Sequence, residues 1–280
     1  MDTISNKQKE WLHSLKCMRM SETDDISFSD FTNTQNDELQ QHYCEHAYEA
    51  DTNNESAYYI ITTSDNKVLF YFSLRCGLLF EKVISEELQN LCYAFLEYKP
   101  KTVEMNEKLK YFQLTNNFSD HEMSTYFNEL YSKIRYQKKS LRENTRIGES
   151  NGVELVPQSL PAIELSHFCK NEDNKAYSEY LFPNHKLGEI IFWYFVLPVV
   201  QNVLKLIGGQ YVYLFAVASD ENQSLVNYYN TLLKFDKEPI LGTYKPTYAQ
   251  SCKFMCLSIK KALDIKKRIS EHFNEHWGTL

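Results

Sequence analysis

Residues 161–235 decide the fold, and they read PAIELSHFCKNEDNKAYSEYLFPNHKLGEIIFWYFVLPVVQNVLKLIGGQYVYLFAVASDENQSLVNYYNTLLKF. Residues 162–168 predict a strand, a polar loop follows, and Gly188 stands at the start of a long apolar helix. The continuous apolar run at 211–218 is typical of a fully buried strand, and residues 224–233 predict another helix. The order strand, loop, helix, strand, helix predicts a crossover connection within an α/β sheet.

Before this segment, the sequence predicts a hairpin, and between the hairpin and the segment it predicts a group of helices. Residues 57–62 and 67–80 have strand patterns around the polar turn Ser64-Asp65-Asn66, and residues 26–31 are a candidate short strand. Residues 81–158 have helical patterns, with Ser119 and Glu122 spaced as a capping box. Residues 241–261 complete the sheet. We predict an α/β fold with a mixed β-sheet flanked by helices. Residues 1–80 and 159–280 form its two halves, and 81–158 are a helical insertion between the third and fourth core strands.

Composition excludes several classes of protein. Of 280 residues, 43% are hydrophobic and 24% charged, which argues against a disordered, collagen-like or disulfide-scaffold chain. The net charge of -7 is not that of a general nucleic-acid binder. Seven cysteines without a CxxC pair and a polar N-terminus predict a reduced, cytoplasmic protein. Glu189, Pro198 and Lys205 interrupt the apolar run at 188–209, which predicts a buried core helix and no membrane span.

The loop before the apolar helix is a candidate phosphate site. A strand that leads into a helix presents free backbone N–H groups, and the helix dipole adds partial positive charge there. Lys186 and His185 add two possible side-chain donors within the sequence NHKLGE at 184–189. These residues predict binding of an anionic group at the start of the helix.

Four stretches in this order resemble the Gcn5-related N-acetyltransferase (GNAT) family. They are IELSHFC at 163–169, HKLGEI at 185–190, YVYLFAVA at 211–218, and the spacing Asn222-x-x-Leu225-x-x-x-Tyr229. The resemblance implies a cofactor site for acetyl-CoA. Its residues are Phe168, Cys169, His185, Lys186, Leu187, Gly188, Glu189, Ile190 and Asn222. His185 stands where the family usually has Gln or Arg, and Ile190 where it has a small residue.

The chemistry that this resemblance implies is transfer of an acetyl group to an amine, which attacks the thioester directly. Tyr229 is the expected acid for the departing sulfur, because the pKa of tyrosine lies near that of a thiol. Tyr228 remains a rival for that role. Glu164 or His167 is the candidate base, and a strand N–H near Phe168 is expected to polarise the thioester oxygen.

Three alternative interpretations remain open. The first is a non-catalytic protein of the same fold that binds a protein or nucleic-acid partner through the helical insertion. The second is an RNA or protein contact at a basic run from Lys133 to Arg146, which is interleaved with Tyr131 and Tyr136. The third is a zinc hydrolase, because residues 42–46 and 272–276 match the pattern H-x-x-E-H. No third ligand with an identifiable context accompanies either match, so we predict no metal site.

Overall fold

The structure is a computed structural model that describes residues 6–23, 31–34, 37–81, 84–116, 118–144, 159–173, 186–218, 223–237, 239, 241–246 and 251–272. The helices are α1 (Asn6–Ser14), α2 (Asp37–Glu45), α3 (Ala47–Thr52), α4 (Glu86–Phe95), α5 (Val103–Asn116), α6 (Asp120–Asn144), α7 (Leu187–Ile191), α8 (Leu197–Ile207), α9 (Ser224–Thr231) and α10 (Ile259–His272). The strands are β1 (Lys16–Arg19), β2 (Ala57–Thr62), β3 (Val68–Glu81), β4 (Ser159–Lys170), β5 (Tyr211–Val217), β6 (Leu241–Gly242) and β7 (Cys252–Ser258).

The strands form one mixed sheet, as the sequence predicts. Its order is β1-β2-β3-β4-β5-β7, and the short β6 pairs with the end of β3. Pairing is antiparallel between β1 and β2, β2 and β3, β3 and β6, and β5 and β7. β4 and β5 pair in parallel, and the helices α7 and α8 cross over between them.

The hairpin of β2 and β3 follows from its turn residues and its alternating side chains. Asn66 adopts a left-handed φ of 60°, which asparagine tolerates better than most residues, and the Thr63 N–H donates to the Lys67 carbonyl at 3.1 Å. The side chains of Tyr59 and Ile61 lie on one face of the sheet, whereas the side chain of Ile60 between them lies on the other. The hairpin prediction is therefore confirmed.

The chain divides into two compact units. The sheet unit comprises residues Met1–Leu79, Leu160–Pro239 and Thr243–Leu280, and the helical unit comprises Phe80–Ser159 with Ile240–Gly242. The main core of the sheet unit lies between one face of the sheet and α1, α7, α8, α9 and α10. A second core lies on the opposite face, where α2 and α3 pack with Phe31 and Tyr71. The strand predicted at 26–31 lies outside the described residues, except for Phe31.

The helical unit has a core of its own, formed by α4, α5 and α6. Phe127 and Leu130 of α6 are fully buried there, together with Cys92 of α4. The predicted capping box is present: the Ser119 N–H donates to the Glu122 carboxylate at 2.8 Å, and the Glu122 N–H donates to Ser119 Oγ at 3.3 Å. The helical character of this segment is thus observed, and its status as an insertion remains a prediction.

Helices α7 and α8 belong to one helical run from Leu187 to Ile207, with the π-helical turn Phe192–Val196 between them. Pro198 lies two residues after this turn, and because proline has no N–H the usual hydrogen-bond ladder is broken near the turn. The run is long and apolar enough to cross a bilayer, yet half of its most apolar stretch is buried within the protein. Core helices have the same length and composition, so the run does not by itself indicate a membrane span.

The buried carboxylate of Asp51 joins three elements of the sheet unit. It accepts hydrogen bonds from Arg19 Nε at 2.9 Å, from the Ser21 N–H at 2.8 Å and from the Tyr58 N–H at 2.9 Å. Its side chain is completely shielded from solvent, while that of Arg19 remains partly exposed. Asp51 thereby connects α3 to β2 and to the turn after β1.

Candidate active site

The central feature of the site is a gap between β4 and β5. Their parallel pairing covers only Ala162 with Tyr211, Ile163 with Val212 and Glu164 with Tyr213. Both strands continue beyond this point, β4 to Lys170 and β5 to Val217, without pairing to each other. Backbone N–H and C=O groups along the last part of β4 therefore face an opening where a parallel neighbour would otherwise lie.

The side chains of β4 change phase at the same place. Ile163 and Leu165 contact the main core, and so does Phe168, although simple alternation would bring residue 167 to that face. His167 and Cys169 instead contact residues of the opposite face. One extra residue between Leu165 and Phe168 accounts for the shift, as in a β-bulge, and a bulge disrupts pairing with a neighbouring strand. The change of phase in β4 thus coincides with the end of its pairing to β5.

The start of α7 provides backbone donors on the main-core side of the sheet. The N–H groups of Glu189 and Ile190 both donate to the Lys186 carbonyl, whereas those of Leu187 and Gly188 have no acceptor among the described residues. A Cβ on Gly188 would lie 2.5 Å from the Tyr228 hydroxyl and 3.5 Å from the Phe168 ring. Any larger residue at 188 would therefore require the Tyr228 hydroxyl to move, whereas the Phe168 ring lies at an ordinary van der Waals distance.

Two tyrosines of α9 lie beside this helix start. The Lys186 ammonium lies 5.4 Å from the centre of the Tyr228 ring, and the rings of Tyr228 and Tyr229 are 5.4 Å apart. Burial raises the pKa of both phenols, and the nearby Tyr229 and Glu189 raise that of Tyr228 further. Both hydroxyls therefore remain protonated at neutral pH, and neither has a hydrogen-bond partner within the described part of the chain.

The structure brings together some of the residues predicted for the cofactor site and separates others. Phe168, Lys186, Gly188 and Tyr228 lie close together. The side chains of Leu187 and Ile190 are buried in the main core, and Glu189 is buried too. Cys169 faces the second core, where its sulfur accepts a hydrogen bond from Asn33 at 2.7 Å. His185 and Asn222 lie outside the described residues.

The face of the sheet opposite α9 carries a polar group that the sequence analysis largely missed. His167 Nδ1 lies 2.7 Å from Ser73 Oγ, and Tyr58 Oη lies 2.5 Å from His42 Nε2. The rings of His42 and His167 stack at 4.6 Å. Burial, then His42 and Arg75, lower the pKa of His167 to about 3, so its imidazole is neutral. The sequence signal for this polar group was the stretch from Ser73 to Cys76, where polar residues alternate within an otherwise apolar strand.

Glu164 lies on this same face, close to the gap. Its buried carboxylate accepts a hydrogen bond from the Tyr213 hydroxyl at 3.2 Å. The Tyr213 phenol lies directly against Gly77 of β3, so a Cβ at that position would collide with it. The candidate base and the candidate acids therefore lie on opposite faces of the sheet.

The features behind the alternative interpretations have the following geometry. The ring of His42 on α2 lies 5.8 Å from the ring of His46, the residue that follows α2. The described residues contain no group of three side chains able to hold a metal ion. Of the basic run, Lys138 donates to the Tyr93 hydroxyl at 2.9 Å, while Arg135 is exposed on α6. Arg146 and most of the second H-x-x-E-H match lie outside the described residues.

Comparison with known proteins identifies the fold. No known family and no curated protein matches the sequence. Among solved structures, a mutant of the AtaT toxin has a TM-score of 0.50 and 11% identity, over 95% of this chain and 97% of that chain. AtaTR bound with AcCoA has a TM-score of 0.49 and 11% identity, over 90% and 98%. AtaT complexed with acetyl-methionyl-tRNAfMet has a TM-score of 0.46 and 11% identity, over 90% and 98%.

The AtaT mutant shows that this chain has the fold of the Gcn5-related N-acetyltransferases, as its sequence resemblance implies. At 11% identity the likeness concerns the fold alone. The reaction has to be argued from the gap between β4 and β5 and from the side chains around it.

Proposed function

We propose that this protein is an acetyl-CoA-dependent N-acetyltransferase. The observation that carries the proposal is the divergence of β4 and β5 beside a helix start and two protonated tyrosines. A thioester in this gap would have a strand backbone on one side, donors for phosphate at one end and an acid for the departing sulfur. Among the fold neighbours, AtaTR is described as bound with AcCoA, and that structure agrees with the choice of co-substrate.

The residues at the start of α7 suit the anionic part of acetyl-CoA. Leu187 and Gly188 offer two free N–H groups, and Lys186 adds a positive charge beside them. The Tyr228 hydroxyl faces the same point, and we assign it a hydrogen bond to phosphate. His185 and Asn222 remain proposed cofactor contacts on the strength of the sequence resemblance alone.

Acetyl-CoA would supply the activated acetyl group, and the chain would manage two protons. The acceptor nitrogen bonds to the carbonyl carbon, the carbon–sulfur bond breaks, the sulfur takes a proton from Tyr229, and the nitrogen loses one to the base. We assign the acid role to Tyr229 because Tyr228 faces Gly188. We assign the base role to Glu164, since an imidazole whose pKa is about 3, as in His167, holds a proton poorly.

Binding of acetyl-CoA to the purified protein tests the proposal directly. We expect micromolar affinity by calorimetry for the wild type, and a loss of at least about tenfold in Gly188→Glu. That substitution puts a Cβ 2.5 Å from the Tyr228 hydroxyl and a negative charge at the helix start.

Gly208→Asn is the matched control for this titration. Gly208 ends the same helical run with a φ of 69°, nothing lies within 4 Å of a Cβ there, and asparagine tolerates that conformation. Its affinity for acetyl-CoA should equal that of the wild type. Absence of binding to acetyl-CoA by the wild-type protein would refute the proposed function.

The helical unit supports a second candidate, a non-catalytic protein that binds an RNA or protein partner. Its core is independent, and it exposes the apolar side chains of Val103, Tyr111 and Leu114 on α5 as well as Arg135 on α6. Such a role predicts no acetyl-CoA binding and an unchanged partner affinity in Gly188→Glu.

A cytoplasmic location is also proposed, because all seven cysteines are free thiols.

A further inference from the structure

Among the described residues, the guanidinium of Arg75 on β3 has no hydrogen-bond or ion-pair partner. Ser73, Arg75 and Gly77 alternate along β3 and so share one face. Ser73 bonds to His167, and Gly77 lies under the Tyr213 phenol, so Arg75 lies between two ordered contacts on that face. Nε of Arg75 is completely buried and donates no hydrogen bond.

The surrounding residues do not neutralise this charge. In the described part of the chain, no carboxylate lies within ion-pair distance of Arg75. Glu164, the acid on the same face, bonds to the Tyr213 hydroxyl instead. Arg75 acts electrostatically on His42, Tyr58, His167 and Tyr213, all of which are neutral at pH 7. Glu164 is held by Tyr213 rather than paired with Arg75, and a partly buried cation that has no ion-pair partner is unfavourable unless an anion joins it.

We infer that Arg75 binds an oxyanion of the acceptor substrate, which would therefore be an amine that also carries a carboxylate or a phosphate group. The inference rests on the proposed acetyl transfer, because it assigns the acceptor to the face that carries Glu164. A planar guanidinium suits both kinds of oxyanion, since it can donate two parallel hydrogen bonds.

The positions of the strands limit how far the amine and the oxyanion of the acceptor lie from each other. Adjacent strands are about 4.8 Å apart, and β3 is the neighbour of β4, whose far edge opens into the gap. An oxyanion held by Arg75 and an amine near Glu164 are thus within reach of one small molecule or one terminal group. Arg75 forms and breaks no covalent bond, and it acts by positioning the acceptor.

Nuclear magnetic resonance of the arginine Nε–H groups tests the inference without any catalysis. The buried Nε–H of Arg75 is assigned by its absence from the spectrum of Arg75→Lys. The protein is saturated with coenzyme A, so that phosphate does not bind at α7, and is then titrated separately with inorganic phosphate and with acetate. We expect a saturable shift of this resonance with at least one anion, and the responding anion identifies the group. No shift with either anion would overturn the inference.

Kinetics with matched acceptors provide the second test. For an amine that carries the responding anion, Arg75→Gln should raise KM by about 10- to 100-fold. For the neutral amide or ester of the same amine, KM should not change. Arg268→Gln is the control, because Arg268 is exposed on α10 and its Nε bonds only to the Asp264 carbonyl. An equal effect of Arg75→Gln on charged and neutral acceptors would contradict a role in anion binding.

The two proposals can fail separately. If acetyl-CoA binds but the Arg75 resonance ignores both anions, acetyl transfer stands and the anionic acceptor is wrong. If the resonance shifts but acetyl-CoA does not bind, Arg75 is an anion site and the acetyltransferase proposal is wrong. Arg75→Lys, which keeps the positive charge, should bind acetyl-CoA as the wild type does and lose most of the preference for the charged acceptor.

Discussion

Replacement of Tyr229 by phenylalanine is expected to lower kcat for acetyl transfer by about 100- to 10,000-fold, the usual contribution of a general acid. The ring, which packs at 6.2 Å from the ring of Phe235, remains in place, and only the proton donor is lost. Affinity for acetyl-CoA should therefore stay the same. Single-turnover rates measured with saturating acetyl-CoA give this comparison directly.

Tyr228→Phe is the matched control for Tyr229→Phe, because it removes a neighbouring hydroxyl on the same helix. With the Tyr228 hydroxyl assigned to phosphate, its loss should weaken acetyl-CoA binding and change kcat little. If Tyr228→Phe abolishes turnover while Tyr229→Phe retains it, the two roles are exchanged. Because burial raises the pKa of Tyr229, the wild-type rate should not decline through loss of this proton below about pH 10.

Asp51→Ala is expected to destabilise the sheet unit by about 2–5 kcal/mol, because two backbone N–H groups lose their acceptor and each unsatisfied buried donor costs about 1–3 kcal/mol. The substitution leaves Arg19 Nε and the N–H groups of Ser21 and Tyr58 without their acceptor. Asp51→Asn, which keeps one acceptor oxygen, should lose less. The free energy of unfolding is measured by urea titration.

Tryptophan fluorescence is the suitable probe for this titration. Trp11 and Trp193 are buried in the main core of the sheet unit, and the sequence of the helical unit contains no tryptophan. The signal therefore reports the unit that contains Asp51. Glu55→Ala, an exposed acid close by in sequence, should change the stability by less than about 0.5 kcal/mol. Equal losses for the two alanine variants would show that the contacts of Asp51 do not carry the effect.

Features that depend on neighbouring residues were predictable from the sequence. The hairpin of β2 and β3 was predicted because its turn residues and strand alternation are local, and Ser119 with Glu122 marked the start of α6. The resemblance to the N-acetyltransferase family rested on four short stretches, whose order along the chain is kept even at low sequence identity. Residues 37–52 form two helices instead of one continuous helix, since the backbone at His46 leaves the helical conformation between α2 and α3.

Features that depend on pairing between distant strands were not predictable. No local pattern shows that β4 and β5 stop pairing at Glu164 and Tyr213, because that depends on the register of both strands. The same holds for Arg75, whose lack of a partner within the described part of the chain is visible only once β3, β4 and β5 lie side by side. Cys169 was assigned to the cofactor site through the family resemblance, whereas its side chain contacts the second core on the other face of the sheet.

The separation of β3 from β4 along the chain also sets an order of events during folding. β3 ends at Glu81 and its neighbour β4 begins at Ser159. During synthesis, β4 therefore cannot pair with β3 until the residues of the helical unit between them have been made. That unit has its own core and mostly local contacts, which form faster than contacts between distant strands. We expect pulsed hydrogen exchange to show α4–α6 protected before β4. A newly made chain would then hold the half-sheet of β1, β2 and β3 with an unpaired edge, the state in which aggregation is most to be expected.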